Sequence, residues 1–304
     1  MRMCCPIFAA EKRIFMRYIG LLLLSVLFIS SCRDSRIHEK NEWGKFFEAE
    51  GIKDACFILR DNNHEAIYYY NKDRCLQQYT PASTFKIFNS LVALEIPVVP
   101  DEQYVIAWDS VERWNADWNK DMNMREAFKV SNLGYYQAIA RKVGYDFMQH
   151  YIDTANYGNK NISGAIDSFW INDSLKISAD EQVGLVKRLY FNQLPFSERT
   201  QRIVRSMMLQ ENEKDYKLSY KTGWGFSGDK QILWVVGFVE KIERMEEHEN
   251  SMNKSDIRMY PYFFAMNFEL PKADNSKNWG QVRIDILKQV LKDFGAIPTE
   301  KAGS

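Results

Sequence analysis

The sequence predicts an α+β protein. Apolar runs of strand length lie near both ends of the chain, at residues 56–59, 66–70, 218–222, 232–240 and 262–270. Between the second and third runs, residues 121–218 mostly carry the apolar spacing of helices. Strands at both ends around a helical block predict one sheet built from the two ends, with an inserted helical subdomain.

Composition excludes several classes of protein. The 304 residues contain 40 Lys+Arg and 40 Asp+Glu, so the net charge is zero and no basic surface for nucleic acid is expected. Apolar residues make up 46% of the chain and aromatic residues 14%, which is enough for a sizeable core and excludes a disordered or fibrous protein.

The N-terminus predicts export. Residues 18–29 form an apolar run that follows Arg17 and is too short for a bilayer, which needs about 20 residues. A basic start, a short apolar run and small residues predict a signal peptide over residues 1–31. Met16 is a more natural start than Met1, because the first fifteen residues add two cysteines and an acid to a region that should be basic.

Cys32 is a candidate lipid anchor. The run Ile29-Ser30-Ser31-Cys32 resembles the lipobox of bacterial lipoproteins, in which cleavage before the cysteine exposes its sulfur for a diacylglyceryl group. The resemblance implies a periplasmic lipoprotein held to a membrane through Cys32, with residues 32–42 as a linker. Ordinary cleavage that leaves Cys32 free is the alternative.

The elements follow in order from the start of the mature chain. Residues 42–49 have the spacing of a short amphipathic helix, and Gly51 follows as its stop. The first two apolar runs, separated by a polar turn, predict a hairpin. Residues 84–95 are apolar on nearly every side, which predicts a buried helix, and residues 282–294 predict a closing amphipathic helix.

Two features leave alternatives open. Residues 241–258 are dense in charge and predict a hairpin loop, which either is solvated surface or borders the substrate cleft. Cys56 and Cys75 could pair in an oxidising compartment, or Cys56 could be a buried thiol in a strand.

The histidines carry no recognisable site. All four are scattered, and the chain has no HExxH, CxxC or GxSxG motif. We therefore expect no metal, and a nucleophile must be activated by a group other than imidazole.

Ser83 and Lys86 supply such a pair. At positions i and i+3 of a helix start they share a face, so the amine can reach the hydroxyl, and the free N–H groups there can stabilise an oxyanion. The same spacing occurs at residues 227–230 and 251–254 in polar connecting segments, so the spacing alone is weak evidence.

Two further motifs strengthen the prediction. Lys221-Thr222-Gly223 ends one predicted strand, where a cation and a hydroxyl at a strand edge could hold a substrate carboxylate. Ser131 lies in a third segment. SxxK with a second serine motif and KTG is the signature of serine β-lactamases and penicillin-binding proteins.

Longer segments narrow the resemblance to one family. The sequence resembles the class D serine β-lactamases, the oxacillinases, over residues 43–298, and leaves residues 299–304 as a tail. The matching segments are Pro81-Ala82-Ser83-Thr84-Phe85-Lys86-Ile87, the tract from Tyr157-Gly158-Asn159 to Phe169-Trp170, Leu175-Lys176-Ile177-Ser178 and residues 234–240. The resemblance implies a central antiparallel sheet flanked by helices, with the active site beside a helical subdomain.

The resemblance also implies catalytic roles. Ser83 would be the acylated nucleophile, and Lys86, carbamylated by CO2 to N6-carboxylysine, would be the general base. Ser131 would relay protons with help from Lys221, and Trp170 would hydrogen-bond the carbamate. Apart from CO2 or bicarbonate, no cofactor is expected.

Binding of substrate involves further positions. The backbone N–H groups of Ser83 and Trp224 would form the oxyanion hole. Thr222, Gly223, Leu133 and Arg283 would bind the substrate. Arg283 would meet the substrate carboxylate, although it could instead be an ordinary surface residue of its helix.

The search for a base to activate water supports the same class. Residues 155–172 contain no Glu, and their one acid, Asp167, has a short reach and matches no catalytic position of the family. A Lys86 amine buried beside Phe85, Leu133 and Trp170 should have a lowered pKa, and a neutral amine is the form that CO2 carbamylates.

Three features depart from the family. Leu133 stands for a valine and adds a methylene beside the expected carbamate, Phe88 replaces a proline, and the 241–258 loop is long.

The alternatives to β-lactam hydrolysis are a penicillin-binding peptidase or transpeptidase and a β-lactam sensor. Against them, position 133 is not Asn, and the chain has only a signal peptide where sensors carry several membrane helices.

Overall fold

The computed structural model describes residues 36–244 and 257–299 and centres on a seven-stranded sheet. Its strand order is β1-β3-β2-β9-β8-β7-β6, while β4 and β5 form a separate ribbon. The strands are Ile37–Glu39 (β1), Ala55–Asp61 (β2), Ala66–Tyr70 (β3), Val105–Ile106 (β4), Met122–Asn123 (β5), Leu209–Asn212 (β6), Tyr216–Ser227 (β7), Lys230–Arg244 (β8) and Ile257–Pro271 (β9).

The sheet joins the two ends of the chain, as predicted. Strand β2 pairs with β3 on one side and with β9 on the other, both antiparallel, so that Cys56 lies opposite Asn267. The α+β class and the sheet built from N- and C-terminal segments are confirmed.

Nine α-helices lie within the described residues. They are Gly44–Glu48 (α1), Lys72–Leu76 (α2), Lys86–Glu95 (α3), Met124–Lys129 (α4), Leu133–Val143 (α5), Tyr145–Ala155 (α6), Ala179–Tyr190 (α7), Glu198–Met208 (α8) and Trp279–Phe294 (α9). Helix α3 is buried from its first residue to Leu94, which explains why its sequence lacks a polar face. Helices α4 to α8 form the block expected between the strands.

The sheet separates two apolar layers. Successive side chains of a strand point to opposite faces, and in β2 Cys56 and Ile58 enter the larger core, whereas Phe57 and Leu59 enter the smaller one. The larger core contains α3 and the helical block, and the smaller contains side chains of α1 and α9. This arrangement places α3, which follows Ser83, in the centre of the protein.

Several strands exceed their predicted lengths. The prediction ended β7 at Thr222 and treated residues 241–258 as a loop, but β7 runs to Ser227, and β8 and β9 stay paired as far as Arg244 and Ile257. Charged residues at the ends of a long hairpin face solvent on both sides, so their composition resembles that of a loop. The loop lies within 245–256, outside the described residues, and a short strand, β1, lies in the expected linker.

The two cysteines of the domain are free. Cys56 and Cys75 are both buried thiols, and Cys75 Sγ donates to the Tyr70 carbonyl at 3.5 Å.

No helix in residues 36–244 and 257–299 is both long and apolar enough to cross a bilayer. The predicted signal peptide, Cys32 and the tail from residue 300 lie outside the described residues.

Candidate active site

Ser83 lies on a short turn that leads into α3. Residues Ala82–Phe85 form one 3₁₀ turn, and Lys86 begins the α-helix. Ser83 is half-buried, and Lys86 Nζ donates to its Oγ at 2.8 Å. Ala82 has a φ of +49°, a left-handed conformation that is unusual for alanine. The turn thus places the half-buried Ser83 hydroxyl beside the buried amine of Lys86.

The amine of Lys86 lies inside the protein. The residue is 1% exposed, and burial lowers the pKa of Lys86 to about 7. The ring of Tyr136 lies 5.4 Å from Lys86 Nζ, and no carboxylate among the described residues offsets the desolvation of the amine. The lowered pKa agrees with the expectation from the sequence, because desolvation disfavours the charged amine.

Trp170 lies in the same layer. Its ring stacks on Phe85 at 5.5 Å with an interplanar angle of 20°. Trp170 is fully buried, yet its Nε1 has no hydrogen-bond partner within the described part of the chain. Because an unpaired buried donor costs about 1–3 kcal/mol, this N–H marks a place where an acceptor belongs.

Ser131 and Lys221 form a second pair. Ser131 joins α4 to α5 with a φ of +57°, and Lys221 Nζ donates to its Oγ at 2.5 Å. Lys221 is 4% exposed. Burial, and to a lesser degree the cations Lys86 and Arg283, lower the pKa of Lys221 well below its usual value. The two amines are therefore near enough to influence each other's protonation.

The position of Lys221 differs from the prediction based on its motif. The motif predicts a strand end, where the Lys221 cation could hold a substrate carboxylate. It lies instead within β7, buried and bonded to Ser131. This contact is the one implied by the family resemblance, in which Lys221 assists Ser131.

Strand β7 packs directly against the Ser83 turn. A Cβ on Gly223 would lie 2.9 Å from the Pro81 carbonyl oxygen, and one on Gly225 would lie 2.9 Å from Cβ of Ala82. Any side chain at either position would push the strand from the turn. The glycine of the KTG motif is thus explained by close approach of two backbones.

Arg283 reaches the same strand from α9. Its Nη1 donates to the Gly223 carbonyl at 2.6 Å, and its guanidinium carbon is 5.7 Å from the ring of Trp224. Its Nε is buried without a partner within the described residues, and burial lowers the pKa of Arg283 to about 10. Thr222 is half-buried and Trp224 is 43% exposed, so the strand opens to solvent beside the guanidinium.

Leu133 and Asp167 differ in their surroundings. Leu133 begins α5, two residues after Ser131, and packs partly buried against the larger core. Asp167 is paired with Arg141, and its carbonyl accepts from Gln137. The Asp167 carboxylate therefore already has a cationic partner.

Comparison with known proteins places the chain in a family. Residues 48–245 match the penicillin-binding protein transpeptidase domain. The chain is 38% identical to the β-lactamase OXA-48 of Klebsiella pneumoniae over 260 residues, which cover 86% of this chain and 90% of that protein. The crystal structure of FUS-1 (OXA-85), a class D β-lactamase from Fusobacterium nucleatum, matches with a TM-score of 0.76 and 33% identity, over 86% of this chain and 100% of that one.

The chain belongs to the class D β-lactamase family. A second solved structure, the class D β-lactamase YbXI from Nostoc, agrees, with a TM-score of 0.74, 36% identity and coverage of 84% of this chain and 99% of that chain. The resemblance drawn from the motifs, and the fold it implied, are confirmed.

This class D β-lactamase also has polar contacts that the sequence analysis did not single out. They surround the Ser83 turn: Gln182 Nε2 donates to Thr84 Oγ1 at 2.9 Å, and Trp234 Nε1 donates to the Thr80 carbonyl at 2.9 Å. Asp173 accepts from the Thr80 hydroxyl. Gln182 and Asp173 lie outside the matching segments and far in sequence from the residues that they contact, so only the fold reveals these contacts.

Proposed function

We propose that this chain hydrolyses β-lactam antibiotics through an acyl-enzyme on Ser83, with carbamylated Lys86 as the general base. The observation that carries the proposal is the buried amine of Lys86, 2.8 Å from Ser83 Oγ and with its pKa lowered to about 7. A serine is a weak nucleophile unless an adjacent base takes its proton. Here that base is a lysine whose neutral form is accessible near neutral pH.

Acylation uses both serine–amine pairs. Ser83 Oγ attacks the lactam carbonyl carbon and its proton passes to the base at Lys86. The ring C–N bond then breaks, and the ring nitrogen takes a proton from Ser131, which Lys221 replaces. Backbone N–H groups of Ser83 and Trp224 hold the negative charge of the carbonyl oxygen.

The surroundings of Lys86 suit a carbamate. The neutral amine adds to CO2, forming an N–C bond and losing a proton to solvent. The carbamate supplies a carboxylate base that can activate the water for deacylation. No acid of the 155–172 segment supplies such a base. Trp170 Nε1, buried and unpartnered within the described residues, is available to donate to it.

A transpeptidase or peptidase is the second candidate, because the matching family model is the penicillin-binding protein transpeptidase domain. Such enzymes also acylate a serine but pass the acyl group to an amine or release it slowly. The relatives named β-lactamases and Leu133 in place of Asn favour hydrolysis. The rate of deacylation decides between the two, and a sensor, which acylates once, would show no turnover.

Turnover of a chromogenic cephalosporin, with and without bicarbonate, tests the proposal. We expect many turnovers per enzyme, and a rate that rises with bicarbonate. A single turnover with a long-lived adduct would contradict hydrolysis and favour the second candidate or a sensor.

The substrate carboxylate should bind near Arg283, between its helix and Gly223. Replacing Arg283 by alanine should raise KM about tenfold to a hundredfold, the loss expected for one charge-assisted pair of about 1.5–3 kcal/mol, with a smaller change in kcat. Steady-state kinetics measure both constants. The matched control is Lys288→Ala, which removes another cation of α9 that pairs with Glu211. A KM unchanged by Arg283→Ala would show that the guanidinium does not meet substrate.

We further propose that the enzyme is exported and anchored through Cys32. The full chain should partition into detergent, and Cys32→Ser should release it, because a diacylglyceryl pair with an N-acyl chain exceeds the two lipid signals that stable anchoring needs. Detergent-phase separation of cell fractions measures the effect. A wild-type protein wholly soluble in the periplasm, with a free N-terminus near Arg33, would contradict the anchor.

A further inference from the structure

Asp173 occupies a strained position beside the candidate active site. It lies three residues after Trp170, with a φ of +71°, in the left-handed region that favours glycine. Aspartate tolerates this region better than most residues, but still at a cost. Such conformations persist where the surrounding structure holds them, and they cluster at functional sites.

The carboxylate of Asp173 joins two distant segments. Its Oδ1 accepts from Thr80 Oγ1 at 2.5 Å and from Ser227 Oγ at 3.2 Å. Thr80 is fully buried three residues before Ser83, and Ser227 ends β7 three residues after Trp224. One oxygen atom therefore connects the segment that carries the nucleophile to the strand that carries Trp224.

The other contacts of Asp173 are local. Its Oδ2 lies 3.0 Å from Lys176 Nζ, in an ion pair with both side chains about one-third exposed. Partial burial would raise the pKa of Asp173, but the hydrogen bond from Thr80 and the Lys176 ammonium hold it below its usual value. The carboxylate is thus an acceptor at neutral pH, and exposed ion pairs of this kind add little to stability.

Other bonds hold the same turn independently. The Thr80 carbonyl accepts from Trp234, and Ala82 N donates to the Trp170 carbonyl at 3.1 Å. Removing the Asp173 carboxylate therefore leaves the turn attached to β8 and to the Trp170 loop. What is lost is the hydrogen-bonded link between the turn and the end of β7, while the backbone packing of Gly223 and Gly225 on the turn remains.

We propose that Asp173 is a positioning residue that sets the separation of the two oxyanion-hole donors, the backbone N–H groups of Ser83 and Trp224. This inference rests on the proposed function. Each donor lies three residues from one of the two hydroxyl groups that Asp173 joins. Stabilisation of an oxyanion depends on donors about 2.7–3.1 Å from its final position, so a small change in their separation slows both acylation and deacylation.

Two substitutions at Asp173 separate its hydrogen bonds from its backbone strain. Asp173→Gly removes the carboxylate and suits the positive φ, whereas Asp173→Asn keeps an oxygen acceptor and removes only the charge. We expect Asp173→Gly to lower kcat/KM about tenfold to a hundredfold, below the effect of deleting one donor outright. Asp173→Asn should stay within about threefold of wild type, and so should Lys176→Ala, the matched control for the ion pair.

The Kd for phenylboronic acid tests the positioning role, because it would not change if Asp173 only stabilised the fold. Boronates form a tetrahedral adduct with a nucleophilic serine, which places an oxygen where the oxyanion forms. The Kd should rise by the same factor as kcat/KM falls in Asp173→Gly, with Tm nearly unchanged. Thr80→Val should reproduce the loss, and the double variant should be no worse than either single variant, since either substitution breaks the same connection from Thr80 through Asp173 to Ser227.

The inference is overturned if Asp173→Gly and Thr80→Val both keep wild-type kcat/KM and boronate affinity, or if Asp173→Asn loses as much as Asp173→Gly. Should Asp173→Gly fail to fold, Thr80→Val decides alone. Failure of the proposed function looks different, because the wild-type protein would then either form no adduct on Ser83 or keep an acyl adduct without turning over.

Discussion

Ser83→Ala should lower kcat by several orders of magnitude, because the variant has no nucleophile to form the acyl-enzyme and keeps only substrate binding and the oxyanion donors. Intact-mass spectrometry after mixing with cephalosporin should show an adduct on wild-type protein and none on the variant. The cleft geometry around Lys86 and Lys221 should survive the loss of one hydroxyl, so Tm should change little.

A matched control comes from the chain itself. Ser251 also begins an SxxK match, and Ser251→Ala should keep wild-type kinetics and the adduct. Loss of activity in Ser251→Ala, with retention in Ser83→Ala, would show that the wrong motif had been identified as catalytic.

Lys86→Ala should lower kcat about 10²- to 10⁴-fold, the contribution of a well-placed general base. Lys254 is the lysine of the other SxxK match, so Lys254→Ala is the matched control and should keep the wild-type kcat.

Wild-type activity should also fall as the pH is lowered. Burial lowers the pKa of Lys86 to about 7, so its neutral fraction, and with it carbamylation, falls as pH drops through 7.

Loss of CO2 should mimic the substitution in part. In CO2-free buffer the progress curves should become bursts, because acyl-enzyme on Ser83 accumulates, and bicarbonate should restore the linear phase. Trp170→Ala should weaken that rescue, since the carbamate would lose its donor. Fast turnover at pH 6 without CO2, indifferent to bicarbonate, would show that another residue activates water, with Asp167 the first to test.

The sequence predicted the fold because its apolar pattern is nearly unambiguous. Helix α3 has no polar face, since it is surrounded by the larger core, and β2 alternates between two apolar layers. Both patterns can be recognised without coordinates. The lengths of β8 and β9 could not be predicted, because the paired residues near Arg244 and Ile257 are exposed and charged, as loop residues are.

The site was predictable only where a motif carries chemistry. Ser83 and Lys86 are neighbours on one turn, so spacing alone places the amine near the hydroxyl. The contact between Lys221 and Ser131 joins residues far apart in sequence and was implied only by the family resemblance. Asp173 had no signal, because its partners Thr80 and Ser227 come together only when β7 packs on the turn.

Intact-mass spectrometry during turnover, in CO2-free buffer at pH 7.5 and again after addition of bicarbonate, tests most directly that Ser83 is acylated and that carbamylated Lys86 releases it. The account predicts an adduct of the opened cephalosporin on Ser83 that accumulates without CO2 and disappears as bicarbonate restores steady turnover. Rapid hydrolysis with no adduct in either buffer would contradict the acyl-enzyme, and an adduct whose lifetime ignores bicarbonate would contradict the carbamate.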